Sequence, residues 1–356
     1  MEKFSASVEW STNKKISPLE NPIGEFNARS GMELAAYLAL EDQLDTQNTD
    51  LGKETWDGIK RNLPPFKFIK DPLSGQSLRT QLFNWPPEGE DIKDKVVTVF
   101  NLPFSVPIDL KHLMYQHYLL AESIETPLLI IENPGYGESD QLTRSQKKSL
   151  KSNGDFGPIA ESMLGIIDAI GIRKINCIGY SMGSDIAAAI ASHASGKDIE
   201  VLNLFIMESA RGKKQNPLKL LGNFVSDIDN LNFTWQHPID PIMRELTKPE
   251  GESPEGLKKF NVNIPKGLMT YGRSLYKGGL QNDLENAFNT QPNMKLTLGS
   301  AGSSKISTAS ANRRLCKLLK SEYQERSIRR IIIPGESHAY GDSGKRYADL
   351  GRLVLH

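Results

Sequence analysis

Residues 175–189 read INCIGYSMGSDIAAA, in which an apolar run passes through Gly-Tyr-Ser-Met-Gly into an alanine-rich segment. The apolar run predicts a buried strand, and the alanine-rich segment predicts a helix. A turn this sharp crowds the positions two residues before and after its centre, which accounts for Gly179 and Gly183. Ser181 then lies at a helix N-terminus, where backbone N–H groups favour developing negative charge. This strand–turn–helix pattern predicts that Ser181 is a nucleophile.

A less specific interpretation of the same stretch remains open. A Gly/Ser-rich turn between a strand and a helix can simply connect them, or it can bind a phosphate at the helix N-terminus. The strand before the turn and the helix after it favour the nucleophile.

The composition of the chain gives no support for several classes of partner and compartment. The 356 residues are enough for two domains or for one large elaborated domain. Basic and acidic residues number 43 each, so the net charge gives no argument for a nucleic acid or an anionic membrane as partner. Two cysteines do not make a disulfide framework. Without a signal-peptide pattern or a run long enough to span a membrane, the sequence predicts a soluble, cytoplasmic protein.

Around the central stretch, short apolar runs alternate with helical patterns. This alternation predicts an α/β fold whose mostly parallel sheet has helices on both faces. The predicted strands are Val96–Phe100, Leu128–Ile131, Ile175–Ile178, Val201–Met207, Met294–Leu298 and Arg330–Ile333. The predicted helices cover residues 108–123, 157–170, 182–194, 306–322 and 343–354. A β-hairpin precedes them, with strands at 66–69 and 78–83 around a Pro-Leu-Ser-Gly turn.

Two segments fall outside this alternation. Residues 1–62 are polar and mixed, apart from a helical pattern at 30–45, and are predicted to form an N-terminal helical extension. Residues 210–292 are longer than a crossover requires, and we expect them to form an inserted helical cap. Such a cap would cover the carboxyl edge of the sheet, where open α/β sheets bind ligands. The core is then formed by residues 63–209 and 293–356.

From about residue 66 to the end, the chain resembles the α/β-hydrolase fold superfamily. The elbow at 179–183 carries the resemblance, together with residues 128–140, LLIIENPGYGESD. This second stretch is similar to the family's strand and D-x-P-G-x-G-x-S-D turn, with Glu132 in place of the aspartate. We assign no catalytic role to that turn. The resemblance implies a doubly wound sheet with an inserted cap and a serine hydrolase with a Ser-His-acid triad.

Histidine is the usual base for a serine nucleophile near neutral pH. Among the six histidines, His338 follows the last apolar strand, in the loop where the resemblance implies the catalytic histidine. His338 is therefore the predicted base. The remaining histidines are interpreted as packing, surface, loop or terminal residues: His112, His117, His193, His237 and His356.

The triad acid departs from the family pattern. The resemblance implies an acid after the strand Met294–Leu298, but residues 299–304 contain no carboxylate. Some family members carry the acid one strand earlier, where Glu208 directly follows a buried strand and an unpaired carboxylate would be costly. Glu208 is therefore the predicted acid. Three alternatives stay open: a Ser–His dyad, an acid from elsewhere such as Asp283, and a Glu208 that only pairs with Arg211.

The predicted oxyanion hole combines the backbone N–H of Met182 with a donor from the loop after Val96–Phe100. This loop lacks the His-Gly pair that is often found there, and Pro103 has no N–H to donate. Leu102 and Phe104 remain as donors, and Phe104 is favoured. Alternatively, Phe104 contributes only an apolar side chain to the pocket.

The leading hypothesis is therefore a serine hydrolase that cleaves an acyl bond, most simply a carboxylic ester of a small or medium-sized, partly apolar substrate. The same machinery cleaves amide, thioester and carbon–carbon bonds. Serine at position 181 argues against dehalogenases and epoxide hydrolases, which need a carboxylate nucleophile. The sequence has no metal-ligand spacing or nucleotide-binding motif, so no cofactor is expected.

Two other hypotheses remain. One is a non-catalytic hydrolase-fold protein that binds a small molecule or a partner, motivated by the altered oxyanion loop and the missing late acid. The other is that residues 1–62 make the protein a docking or scaffold component whose catalysis is incidental. The sequence does not determine the oligomeric state.

Overall fold

A computed structural model of the chain describes residues 56–87, 90–104, 107–124, 126–224, 226, 266–333 and 338. The strands are β1 (Lys67–Lys70), β2 (Ser77–Phe83), β3 (Val96–Asn101), β4 (Leu128–Ile131), β5 (Lys174–Tyr180), β6 (Glu200–Met207), β7 (Lys295–Ala301) and β8 (Ile328–Ile333). The α-helices with defined bounds are α1 (Trp56–Asn62), α2 (Lys111–Ser123), α3 (Arg144–Asn153), α4 (Gly157–Ile170), α5 (Met182–His193), α6 (Lys266–Leu275), α7 (Leu280–Thr290) and α8 (Ala309–Glu322). Residues 217–224 are also helical.

The eight strands form one sheet in the order β1-β2-β4-β3-β5-β6-β7-β8. The first two strands are antiparallel to their neighbours, and all pairs from β4 to β8 are parallel. From β3 the chain goes to β4 on one side, and then returns across β3 to β5 on the other. Ligands bind in α/β sheets at the carboxyl ends of strands where the order reverses in this way, so the end of β5 is a natural site.

The central strands are buried on both faces, as their apolar runs predict. Alternate residues point to opposite sides, because side chains in a strand have a period of two. One face packs against α4, α5 and α7 through Val99, Leu129, Cys177 and Leu204. The other face packs against α1 and α2 through Phe100, Ile130, Ile178 and Phe205.

The predicted fold class is confirmed, and the predicted hairpin and six apolar strands all lie within or overlap strands of the sheet. Helix α3 was not predicted, because only Gln146 and Leu150 are buried in it. Its bounds are set by its caps. Thr143 and Gln146 form a capping box at its start, and Gly154, with φ 69°, ends it. The helical patterns at 30–45 and 343–354 lie outside the described residues.

The segment predicted to be a cap contains a helix of the core. In α7, Leu280, Leu284 and Phe288 are fully buried, and the helix packs against α5. Residues 227–265 lie outside the described residues, so a cap above the sheet stays a prediction. Of the predicted N-terminal extension, only α1 is described, and Trp56 and Ile59 anchor it in the core. Within the described residues, no helix combines the length and apolar character needed to cross a membrane.

Candidate active site

Ser181 lies between β5 and α5 in a backbone conformation that non-glycine residues rarely adopt, with φ 54° and ψ −123°. Crowding on both sides imposes this turn. A Cβ atom at Gly179 would meet the Gly183 carbonyl oxygen at 2.3 Å, and one at Gly183 would meet the Asn101 carbonyl oxygen at 1.9 Å. The Ser181 N–H donates to the Met207 carbonyl at 2.9 Å, which ties the turn to β6. The predicted elbow is therefore present, and the close contacts explain both glycines.

The structure brings the hydroxyl of Ser181 to the imidazole of His338. The Ser181 Oγ lies 3.0 Å from the His338 Nε2, within hydrogen-bonding distance. The two residues are only 4% and 8% exposed. A serine–imidazole contact with little access to water is the geometry that nucleophilic catalysis needs.

Glu208 faces the other nitrogen of the same imidazole. Its Oε2 lies 2.8 Å from the His338 Nδ1, and its Oε1 accepts from the Ala301 N–H. This contact suits the neutral tautomer with its proton on Nδ1, in which the lone pair of Nε2 faces Ser181. Glu208 has a φ of 61°, and its own N–H donates to the Gly299 carbonyl at 3.1 Å. A strained, fully buried acid held in this way is typical of a functional site.

The other candidates for the acid are engaged elsewhere. The Arg211 Nη1 donates to the Asp283 Oδ2 at 3.2 Å, and the Arg211 Nε donates to the Gly278 carbonyl at 2.8 Å. Arg211 therefore pairs with Asp283, while Glu208 binds His338. The observed pairing differs from two of the open alternatives, in which Asp283 is the acid or Glu208 only pairs with Arg211.

The loop after β3 lies against the start of α5. Gly183 packs on the Asn101 carbonyl, and the Asn101 Nδ2 donates to the Ile178 carbonyl at 3.1 Å. Met182 is the first residue of α5, so its N–H is free of the helical ladder. The ring of Phe104 is turned toward α6, where its Cζ lies 3.7 Å from a Cβ built on Gly272. Met182 and Phe104 thus belong to two adjoining segments beside Ser181, and their roles as oxyanion donors stay predictions.

Two aromatic residues to which the sequence analysis gives no catalytic role also contact His338. The Tyr180 hydroxyl donates to the His338 backbone carbonyl, and its ring stacks on the imidazole with centroids 5.6 Å apart. The ring of Phe224 meets the imidazole edge-on at 6.0 Å. Tyr180 lies inside the elbow motif, but a contact across 158 residues has no local sequence signal.

A buried polar cluster lies behind Glu208. The Ser209 Oγ donates to the Asp185 Oδ1 at 2.6 Å, and the Arg211 N–H donates to the Ser209 Oγ at 3.1 Å. Burial raises the pKa of Asp185 to about 7, because the opposing charge of Arg211 offsets only part of the desolvation. The cluster links α5 to the segment that follows Glu208.

Glu132 occupies the position of the family's aspartate and holds loops together. Its carboxylate accepts from the Arg79 Nη2 at 2.7 Å, from the Ile108 N–H at 2.9 Å and from the Ser139 N–H at 3.1 Å. All of these bonds join parts of the scaffold to one another. Among the described residues, no group of His, Cys, Asp and Glu side chains is arranged to hold a metal ion.

This architecture is similar to that of known proteins. A sequence model of the alpha/beta hydrolase fold matches residues 116–339. The solved bromoperoxidase from Bacillus anthracis is similar over 82% of this chain and 99% of its own, at 14% identity and a TM-score of 0.52. The enol-lactonase from Burkholderia xenovorans LB400 is similar over 82% and 98%, at 16% identity and a TM-score of 0.50. MGS-M2, an alpha/beta hydrolase from a Medee basin deep-sea metagenome library, is similar over 78% and 93%, at 16% identity and a TM-score of 0.50. No curated protein sequence matches the chain.

Proposed function

The chain belongs to the α/β-hydrolase fold family, and from that premise we propose that it is a serine hydrolase that cleaves acyl bonds, with carboxylic esters as the first substrate class to test. One observation carries the proposal. Ser181, His338 and Glu208 form a continuous hydrogen-bonded chain, with contacts of 3.0 Å and 2.8 Å. In the proposal, Ser181 is the nucleophile, His338 is the base and Glu208 is the acid that orients the base.

The proposed reaction proceeds through an acyl-enzyme. The Ser181 Oγ attacks the acyl carbonyl carbon while its proton passes to the His338 Nε2. Glu208 stabilises the imidazolium that forms. The tetrahedral intermediate collapses, and the leaving alcohol takes the proton from His338. Water then attacks the acyl-enzyme and gives a proton to His338, which returns it to Ser181 as the acid leaves.

The oxyanion donors of the proposal are the backbone N–H groups of Met182 and Phe104. The position of Met182 at the start of α5 supports this role, because the first N–H groups of a helix lack intrahelical partners and can point at developing charge. Phe104 is proposed because Pro103 has no N–H and because the loop after β3 packs directly on Gly183.

Apolar surface near the catalytic residues supports a partly apolar acyl substrate. Phe104 and Phe224 are both partly buried hydrophobic residues that pack on the core. The Phe224 ring also contacts the His338 imidazole, which is the group that must face the scissile bond. Rings left half-exposed beside a reacting group offer a surface that an alkyl or aryl group can cover.

A fluorophosphonate probe tests the proposal, because such probes react with serine hydroxyls that their surroundings activate. We expect the full-length protein to be labelled at Ser181, and Ser181→Ala and His338→Ala to lose labelling. Ser152→Ala and His193→Ala are matched controls, because both residues are exposed and neither belongs to the hydrogen-bonded chain. Both controls should be labelled like the wild type.

The non-catalytic alternative predicts a different result. A folded wild-type protein that remains unlabelled at high probe concentration, and that hydrolyses no ester of graded acyl chain length, contradicts the proposed function. Labelling that persists in Ser181→Ala contradicts the assignment of the nucleophile.

A further inference from the structure

We propose that Tyr180 is a positioning residue for the base of the proposed reaction. It fixes the backbone of His338 through a hydrogen bond and holds one face of the imidazole by stacking. The inference rests on the proposed function, because it assigns to Tyr180 an effect on the Ser181–His338 contact. Tyr180 has no role in binding the acyl group under this proposal.

Two contacts of Tyr180 converge on the same histidine. The phenolic O–H donates to the His338 carbonyl, and both residues are buried. The two ring planes lie 27° apart with their centroids separated by 5.6 Å, which is a favourable stacked arrangement. The first contact holds the main chain of the base, and the second restricts the rotation of its ring.

The anchor is effective because Tyr180 is the last residue of a central strand. Strand β5 is paired with β3 on one side and β6 on the other, and Tyr180 itself is in register with Met207. Ser181 is the next residue along the chain. The Tyr180 hydroxyl is therefore held on the same rigid element as the nucleophile.

His338, in contrast, does not belong to β5. It follows β8, and both β6 and β7 lie between β8 and β5. Glu208 binds the Nδ1 and so orients the ring, but this bond is made to the side chain of His338 and not to its main chain. Tyr180 ties that main chain to β5. The 3.0 Å contact between the Ser181 Oγ and the His338 Nε2 depends on both restraints.

Two substitutions separate the two contacts. Tyr180→Phe keeps the ring and removes the hydrogen bond, while Tyr180→Leu removes both. We expect the fluorophosphonate labelling rate and the kcat for a p-nitrophenyl ester to fall about 3- to 10-fold in Tyr180→Phe, with KM within about twofold of the wild type. In Tyr180→Leu, the labelling rate and kcat should be about tenfold lower again. Tyr180→Phe would then retain much of the activity that Tyr180→Leu loses, because it keeps the ring.

Tyr271→Phe is a matched control. The buried Tyr271 hydroxyl also donates to a backbone carbonyl, that of Pro134 at 3.0 Å, and its ring also stacks, on Tyr136. Tyr271→Phe removes a bond of the same kind without touching His338. Thermal denaturation of all variants reports the structural cost. We expect a similar cost in Tyr180→Phe and Tyr271→Phe, and a slower reaction only in Tyr180→Phe.

The outcomes are distinguishable. A wild type labelled at Ser181 and a Tyr180→Phe labelled at the same rate overturn the positioning role and leave the proposed function intact. A Tyr180→Phe whose KM rises at unchanged kcat also overturns the role, because Tyr180 then contacts substrate. A wild type that is not labelled overturns the proposed function and the positioning role together.

Discussion

The α-carbon of Gly183 lies so close to the backbone of Asn101 that a Cβ atom at position 183 would meet the Asn101 carbonyl oxygen at 1.9 Å. Real Cβ atoms do not approach a backbone oxygen at this distance. Strand β3 ends at Asn101, and α5 begins one residue before Gly183. The contact therefore fixes the spacing between the loop after β3 and the N-terminus of α5, the two segments proposed to supply oxyanion donors.

Substitution of Gly183 by alanine tests this spacing. Because neither backbone segment can move without disturbing the sheet, we expect Gly183→Ala to lower the free energy of unfolding by about 1–3 kcal/mol. We also expect labelling of Ser181 by a fluorophosphonate to slow by about 100-fold, since small displacements of catalytic groups are costly. Gly196→Ala is the control, because a Cβ at Gly196 meets no atom within 4 Å. An alanine at 183 that leaves the labelling rate unchanged contradicts the importance of the contact.

Glu208→Gln tests the proposed acid with almost no change in shape. The side-chain carbonyl of glutamine can still accept from the Ala301 N–H, but the amide then turns its NH₂ toward the His338 Nδ1. Two donors cannot share this contact, so the imidazole must lose the contact or change tautomer. We expect kcat for an ester substrate to fall by about 10³- to 10⁴-fold with little change in KM.

Glu138→Gln is the control for this substitution. Glu138 is a mostly exposed glutamate that pairs with Arg79 at 3.1 Å, away from His338. Its amide variant should retain wild-type kcat. If Glu208→Gln keeps kcat within about tenfold of the wild type, a Ser–His dyad performs the chemistry and Glu208 has only a structural role.

Local patterns in the sequence predict the strands well and the polar helices poorly. Strand β4 has the predicted bounds Leu128–Ile131, because four apolar residues stand between Thr-Pro and Glu-Asn-Pro-Gly. Helix α3 offers only one buried apolar residue, Leu150, so hydrophobic periodicity does not reveal it. The Thr143 capping box and Gly154 were the available signals. Capping motifs identify the ends of a helix whose faces are polar throughout.

In the candidate site, the residues predicted from the sequence are those that the order of the strands brings together. Ser181, Glu208 and His338 follow β5, β6 and β8, whose carboxyl ends meet at one edge of a parallel sheet. Their meeting therefore follows from the fold. The contacts of Tyr180 and of the Asp185–Ser209 pair depend on side-chain rotamers and on buried space. No pattern of residue types along the chain encodes these features.

Asp185 makes the stability of the fold depend on pH. Because burial raises its pKa from 3.8 to about 7, the folded protein holds this proton more tightly than the unfolded chain does. The contribution of Asp185 to stability therefore falls as the pH rises through this window. Charged Arg211 and Asp283 and the Ser209 hydroxyl face it, and only Arg211 and the hydroxyl favour the ionised form. We expect Asp185→Asn to be about as stable as the wild type at pH 4.5 and more stable at pH 8, by roughly 1–3 kcal/mol.

Urea unfolding at the two pH values measures this difference. Asp198→Asn is a suitable control, since Asp198 is an exposed residue after a 3₁₀ turn. The side-chain carbonyl of asparagine at 185 can still accept from Ser209, so loss of that bond does not complicate the comparison. A variant whose stability differs from that of the wild type by the same amount at both pH values contradicts the prediction, because folding then does not raise the pKa of Asp185.

His117 provides a second, opposite pH dependence. It lies in α2, 1% exposed, with its ring 5.5 Å from the ring of Phe100, and neither ring nitrogen has a hydrogen-bond partner within the described residues. Burial, together with the charge of His112, lowers its pKa from 6.5 to about 3. The unfolded chain therefore binds the proton more readily. The corresponding stability is fully present above pH 6.5 and is lost as the pH falls toward 3.

His117→Leu should remove this sensitivity to acid. Leucine fits an apolar helix face and leaves no unpaired nitrogen, so we expect a stability equal to or slightly above that of the wild type at pH 8. At pH 5 the advantage should grow by about 2 kcal/mol, because the wild type then loses stability to protonation of its unfolded state. His193→Asn, at an exposed position, should show no such growth. Urea midpoints of the three proteins at pH 5 and pH 8 give the comparison. An advantage of His117→Leu that is the same at both pH values assigns the effect to packing alone and contradicts the proton linkage.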